Sequence, residues 1–330
     1  MNNEDLDQVV RQLAGEPRAT EADRAITRRA LSEAMHAEAP RRRLQPVSRR
    51  FRRVPVVVAS MVVAAVAFVV VAVQVARPTA AEAVLGEIAA AAELVEPLTV
   101  DGQEFAYVRS ETLALGVFPA DAFTSTRGGP LAYLIPSTRE VWIGADDTVQ
   151  LRTTTGTPRF FAPGDETDYY TAGLDVIDGV GEITAETFDN VTSILDERTW
   201  PTTPDDLEDA LRHSLPPELE RPESVEILDL ALDLIRLPDA PPTLRAAALR
   251  VIADLDLTLV ERRPDGGGTF TIAYDQPEPA TITVTLSGIG QLIYESVTLD
   301  DGDPSVGIPP GTITAEATYE PARIVSDLNN

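Results

Sequence analysis

His36 and His213 are the two histidines of the chain, and no cysteine accompanies them. A helical His followed by two Cys would hold zinc, because thiolate and imidazole are the ligands that metal prefers. Here the downstream positions are Pro40 and Arg43, so that chemistry is closed and His36 reads as a solvated residue near a helix end. His213 would have to be the base of any Ser-His-Asp site in the second half of the chain. It sits between Arg212 and Ser214 on a short acidic helix, which points to a structural role rather than general-base work. Asp300, Asp301 and Asp303 gather around Gly302 in "LDDGDPSV". Hard oxygen ligands this close could hold calcium, but the spacing departs from an EF-hand loop and Asp-Gly clusters commonly make plain turns. The acid pairs Asp205/Asp206 and Asp146/Asp147 read in the same way, as a cap and a turn. The chain has no G-x-S-x-G, no H-E-x-x-H and no Walker lysine. The expectation is a chain that is not an enzyme and needs no metal or cofactor.

The strongest signal is physical rather than catalytic. Val54 to Val75 is a run of 22 residues, 12 of them Val and 5 Ala, without a charge. At 1.5 Å of rise per residue it makes about 33 Å of helix, against a hydrocarbon core of roughly 30 Å. It is apolar on every face, so it has no stripe to show to water. Its rival is a cleaved signal peptide, for which Thr79-Ala80-Ala81-Glu82-Ala83 offers a small-residue site. Signal h-regions are shorter and lie nearer the N-terminus, which favours an uncleaved anchor.

The charges give the orientation. Arg41, Arg42, Arg43, Arg49, Arg50, Arg52 and Arg53 precede the run, and only Arg77 follows before the acids Glu82 and Glu87. The positive-inside rule keeps residues 1–53 in the cytoplasm and exports residues 76–330. The arm carries 12 Arg against 8 acids, whereas the rest carries 15 Arg against 45, which together give the net charge of −26. A basic stem beside a membrane is drawn to anionic headgroups, so the membrane is the partner expected for these arginines. The acidic exterior excludes nucleic acid. Without cysteine, the exported part must be held by an ordinary hydrophobic core.

Two short helices are expected in the arm. Leu6, Val9, Val10 and Leu13 recur at i, i+3, i+4 and i+7, with Gly15 and Pro17 as a stop. The second begins at Thr20, with Asp23 as its capping partner, and presents Ile26, Leu31 and Met35. Such short amphipathic helices are marginal alone, so the two apolar faces are expected to settle on a partner.

Beyond the run, the pattern predicts a helix over 80–96, then strands in "QEFAYVRSETLAL" and a hairpin in "REVWIGADDTVQLRTTT" turning at Gly144-Ala145-Asp146-Asp147. "TFDNVTSILDERTW" reads as a short helix. Three proline-led helices follow within about 203–255: one capped at Thr203 with Pro204 first, one opened by Pro222 with Val225, Leu228, Leu232 and Ile235 on one face, and one in "APPTLRAAALRVIADL". The period then switches to two, with hairpins turning at Pro264–Gly268 and Ser287–Gly290 and a last strand in "TITAEATYE". This order predicts an α+β fold: a single transmembrane helix, then one exported antiparallel-sheet domain with an N-terminal helix and a three-helix insert.

The stretches "AAEAVLGEIAAAAE", "FAYVRSET", "REVWIGADDTVQLR", "WPTTPDDLEDALR", "LSGIGQLIYESVTL" and "TYEPARIVSDL" resemble a family of actinobacterial single-pass membrane proteins of unknown function, often encoded beside extracytoplasmic-function sigma factors. The resemblance covers nearly all of the exported part and assigns no catalytic residue. It implies an anti-sigma-like regulator without zinc, whose cytoplasmic partner is a sigma factor. At the level of fold, a helix leading into a curved antiparallel sheet resembles the lipoprotein-carrier fold. That likeness implies a second expectation, a membrane-tethered module for a lipid or other apolar ligand.

Overall fold

The computed structural model describes residues 78–102, 104–119, 129–145, 148–188 and 200–327. All of them fall within one compact unit, Ala76–Asn330. The arm with its two helices, the arginine stem, the apolar run 54–75, the acid pair Asp146/Asp147 and most of "TFDNVTSILDERTW" lie outside the described residues. Among the described residues no helix is long and apolar enough to cross a membrane.

The unit opens with helix α1 (Ala80–Ala92). Thr79 accepts a hydrogen bond from the Glu82 amide at 3.1 Å and the Glu82 carboxylate accepts one from the Thr79 amide at 2.7 Å, a reciprocal capping box. The helix ends four residues before the expected boundary at 96. Pro97 disfavours helical backbone in the residue before it, and Leu94 is 85% exposed, so no core contact holds another turn.

Strands β1 (Phe105–Phe118), β2 (Leu131–Gly144), β3 (Val149–Thr155) and β4 (Arg159–Phe160) follow, then short helices α2 (Asp165–Thr171) and α3 (Leu174–Ile177) and strand β5 (Ile183–Phe188). The predicted insert is helices α4 (Pro204–Ser214), α5 (Glu223–Arg236) and α6 (Pro242–Ala253). Strands β6 (Thr258–Arg262), β7 (Gly268–Tyr274), β8 (Ala280–Leu286), β9 (Leu292–Leu299), β10 (Thr312–Tyr319) and β11 (Arg323–Val325) complete the chain. The start of "TFDNVTSILDERTW" is strand rather than helix, since Thr187 pairs with Gln150 in the sheet.

The architecture is α+β with an antiparallel sheet. Its 11 strands run in the order β5-β3-β2-β1-β10-β9-β8-β7-β6, with β11 on β1 and β4 on β2. The first long strand therefore meets the last: Ser110 pairs with Tyr319 and Leu113 with Glu316. The seam joins two halves that the sequence keeps apart, residues 105–188 on one side and 258–319 on the other.

Over the second half lie α1, α4, α5 and α6. Val225, Leu228, Leu232 and Ile235 share the buried face of α5 with the spacing expected of them, and they pack with Leu85 and Ile88 of α1, Leu244, Val251 and Ile252 of α6, and Phe270, Ile282, Val284 and Leu286 of the sheet. The turn between β8 and β9 approaches this core closely. Gly290 has φ 77°, and a Cβ there would lie 2.6 Å from Leu249 Cδ1, so only glycine fits.

Candidate functional site

Cross-strand partners in an antiparallel sheet share a face. The helix-covered face of β7 to β10 can therefore be followed across the seam into β1, β2, β3 and β5. One row runs Tyr319, Ser110, Arg139, Thr153, Thr184. The next runs Ala317, Thr112, Ser137, Thr155, and Thr112 and Ser137 join their hydroxyls at 2.7 Å. On one side of this polar belt lie Val108, Val141 and Leu151, then Ala106, Ile143 and Val149; on the other lie Ala114 and Ile135.

Of these residues the helical core takes Tyr319 and none from β1 to β5: among the described residues its members come from α1, α4 to α6 and β6 to β10 with their flanking loops. Val108, Ile135, Val141 and Ile143 are accordingly half-buried, whereas Phe270, Val284 and Leu286 on the same face are at most 1% exposed. One face of one sheet is thus sealed in its second half and left partly open in its first.

Two walls border the open part. Along the seam, Arg236 at the end of α5 pairs with Asp233 and with Glu295 of β9 and lies over the Tyr319 ring, 5.7 Å from its centroid. Tyr319 donates its hydroxyl to Glu295 at 2.6 Å. Burial alone would lower the Arg236 guanidinium, but Glu295, Tyr319 and the two aspartates of α5 outweigh it and push it up. The other wall is aromatic: the Tyr169 ring meets Tyr133 edge-on at 4.8 Å and Phe160 at 5.4 Å, beside Leu131 and Leu174. Tyr169 donates to Asp178 at 2.8 Å. Burial raises the Asp178 carboxyl above the usual carboxylate range, although the Tyr169 and Tyr133 hydroxyls oppose the shift.

Arg139 sits between the walls. Burial is the largest influence on its guanidinium and holds it down to about 10; Tyr319 and Glu186 pull the other way. Glu186 shares its row with Leu151, one step along the strand from Arg139's own row. This face therefore carries the Arg139 guanidinium with the Glu186 carboxylate in the neighbouring row, and a band of hydroxyls crossing an aliphatic surface.

The opposite face of β1 to β3 is closed locally. Tyr107 and Trp142 meet with their rings tilted, centroids 5.2 Å apart, Arg152 lies over Trp142, and Glu140 accepts from Tyr107 at 2.9 Å and from Arg152 at 2.7 Å and 2.9 Å.

The candidates from the sequence separate cleanly. His213 is exposed, and its Nδ1 lies 2.6 Å from the Asp209 carbonyl, a bond within α4. Asp300 accepts from the Thr281 hydroxyl at 3.0 Å, and Asp303 accepts from the Ser305 amide and hydroxyl at 2.8 Å and 2.6 Å. The first ties β8 to the end of β9 and the other two lie within a turn, and among the described residues no group of His, Cys, Asp and Glu is arranged to hold a metal. Asp205 and Asp206 lie in the first turn of α4 as expected, but the cap differs: Thr203 donates its hydroxyl to Asp206 instead of accepting from a backbone amide. The partner-binding faces Leu6/Val9/Val10/Leu13 and Ile26/Leu31/Met35 lie outside the described residues.

Sequence reasoning passed over Arg139. Its signal was present in "REVWIG", where a period of two places Arg139 on the same side as Val141 and Ile143. A charge in the apolar parity of a strand is the anomaly that marks this face. No protein-family model matches the chain, and no curated protein matches it.

Proposed function

We propose that this chain is a single-pass membrane protein, with residues 1–53 as a cytoplasmic arm, 54–75 as the spanning helix and 76–330 as an exported domain that senses a ligand. The observation that carries the sensing role is the face shared by covered and uncovered strands. Its Val108, Ile135, Val141 and Ile143 stay half-buried where the other half of the sheet is sealed, which leaves a surface for something outside. Helix α1 supports coupling to the arm. It is the described element nearest in sequence to the apolar run, and its Leu85, Ile88, Ala89 and Ala92 are fully sunk in the helical core.

On this reading Leu6, Val9, Val10, Leu13, Ile26, Leu31 and Met35 bind a cytoplasmic protein, and the family resemblance implies a sigma factor. The arginines from Arg41 to Arg53 hold the stem to the membrane. Deleting residues 1–38 while keeping the stem and anchor is the test, with genome-wide transcripts as the readout. A defined set of genes released from repression is expected; unchanged transcripts would sink the regulatory role.

The half-buried Val108, Val141, Ile143 and Ile135 also favour a second reading, a tethered module for a lipid or other apolar ligand with the arm as a targeting stem. A protease site inserted at Ala76 would release the domain after it has folded in place. Native mass spectrometry then finds acyl chains on it, and an empty domain overturns this reading.

A further inference from the structure

We propose that the outer edge of β5 takes an extended cationic peptide as an added strand, with apolar side chains beside Ile183 and a cation beside Glu182. The site lies at the rim of the sheet. It supplies a class of ligand for the sensing role and stands or falls apart from the apolar-ligand reading above.

Exposure singles out this rim. Of the nine large apolar side chains exposed among the described residues, Tyr170, Val176, Ile177 and Ile183 fall within residues 170–183. Val176 is 76% exposed, Ile177 68% and Ile183 66%, a concentration that marks an interaction surface. The Val180 amide donates to the Asp175 carbonyl at 2.8 Å and the Glu182 amide to the Gly179 carbonyl at 2.9 Å. These turns hold α3 at the head of β5.

The two edges of the sheet differ in how they are protected. Strand β6 breaks its register between Leu259 and Glu261, and its Arg262 pairs with Glu87 of α1, devices that blunt an edge. Strand β5 pairs with β3 in unbroken register from Ile183 to Phe188, holds no proline, and has no strand on its other side among the described residues. The backbone groups of that side are a template for one more strand.

Charge chooses the occupant. Residues 161–188 carry seven acids and no Arg or Lys. Glu166 lies one turn before Tyr170, Asp175 precedes Val176 and Glu182 precedes Ile183; among the described residues none of the three is paired with an arginine. A second copy would bring the same carboxylates against these, so like charge disfavours self-pairing and a strand bearing cations is favoured. The Glu182 carbonyl accepts from the Thr155 amide at 3.3 Å, which extends the ladder by one residue. Strand alternation then puts Glu182 on one face and Ile183 on the other, so a peptide that is cationic and apolar by turns meets both.

The full chain in a neutral detergent is titrated, by fluorescence anisotropy, with an octapeptide amide of alternating Arg and Val. A second probe is the same peptide N-methylated at every residue, which keeps the charges and side chains and removes every main-chain donor. The N-methylated peptide is expected to bind at least about tenfold more weakly. Glu182→Arg should weaken the octapeptide about fivefold or more, and Glu261→Arg, the same change of net charge on the exposed side of β6, less than about twofold. The comparison of the two peptides on the unaltered chain does not depend on a variant folding. Equal affinity for the two peptides, or equal loss in the two charge reversals, would show attraction to a chain of net charge −26 alone and overturn the strand site. Binding of neither peptide would overturn it as well, and would leave the face of Val108 and Val141 untouched as a sensing surface.

Discussion

The two halves of the sheet are built from the same kind of strand and differ in what lies over them. From β6 to β10, helices α1 and α4 to α6 seal the face, and Phe270, Val284 and Leu286 are shielded from water. Among the described residues the same face from β1 to β5 meets α2 and α3 at one end, and Val108, Ile135, Val141 and Ile143 remain half-buried while Ala106, Val149 and Leu151 are buried. Buried apolar packing is therefore concentrated in one half and partly exposed apolar surface in the other. Local opening is expected to cost less in the half with fewer buried apolar contacts.

The largest test of the contrast is a matched pair of truncations. Phe270→Ala should cost about 3–5 kcal/mol, because a fully buried ring leaves a cavity the helices cannot fill by relaxing. Val141→Ala should cost only about 1 kcal/mol, since that side chain is already partly in contact with water. The two tryptophans report the halves separately: Trp200 packs on the helical core and Trp142 of β2 packs at a tilt against Tyr107 of β1. Urea unfolding of single-tryptophan variants should show the Trp142 signal moving before that of Trp200. A single coincident transition would mean that the halves unfold as one and the contrast is only one of accessibility.

The seam offers the next effect. Arg236 joins α5 to β9 through Glu295 and lies against Tyr319 of β10. Removing one member of such a set leaves the others partly buried without a counter-charge. Arg236→Met is expected to lose about 2 kcal/mol, less than a deeply buried pair because these side chains keep some access to solvent. Adding Glu295→Gln should restore part of that loss. A double variant no better than the single one would show that Arg236 acts through packing on Tyr319 instead of through charge.

Why the covered half was legible in the sequence and the open half was not follows from the same contrast. The faces of α5 and α6 and the two C-terminal hairpins announce themselves through period, proline and glycine, because local rules and burial agree there. The extent of β2 did not. Its first residues, Leu131 to Pro136, are a short apolar run that fits several structures, and what fixes them as strand is pairing with β1 along its whole length. Helices α2 and α3 were equally hidden, being too short for a periodic signal. The meeting of β1 with β10 depends on a sequence separation of about two hundred residues, which no local pattern encodes. Arg139 was visible as a letter but not as a site, because its meaning depends on which neighbours stay uncovered.

The smallest effect lies at the aromatic wall of the open half and separates charge from contact. Asp178 has a carboxyl pKa raised by burial, so the folded state holds its proton more tightly than the unfolded chain does. Between the two values folding takes up a proton, and the contribution of this group falls as pH rises from the ordinary carboxylate range toward neutrality. Asp178→Asn keeps an oxygen acceptor for the Tyr169 hydroxyl and removes the ionisation. The variant should gain on the unaltered protein at pH 7, and that difference should shrink steadily as the pH is lowered toward 4. Comparing the two proteins at each pH cancels the other buried acids, among them Asp229 and Asp233 of α5, whose carboxyls are raised by burial as well. A difference that stays flat across the range would show that the Tyr169 bond, rather than the buried charge, sets the energy of this wall.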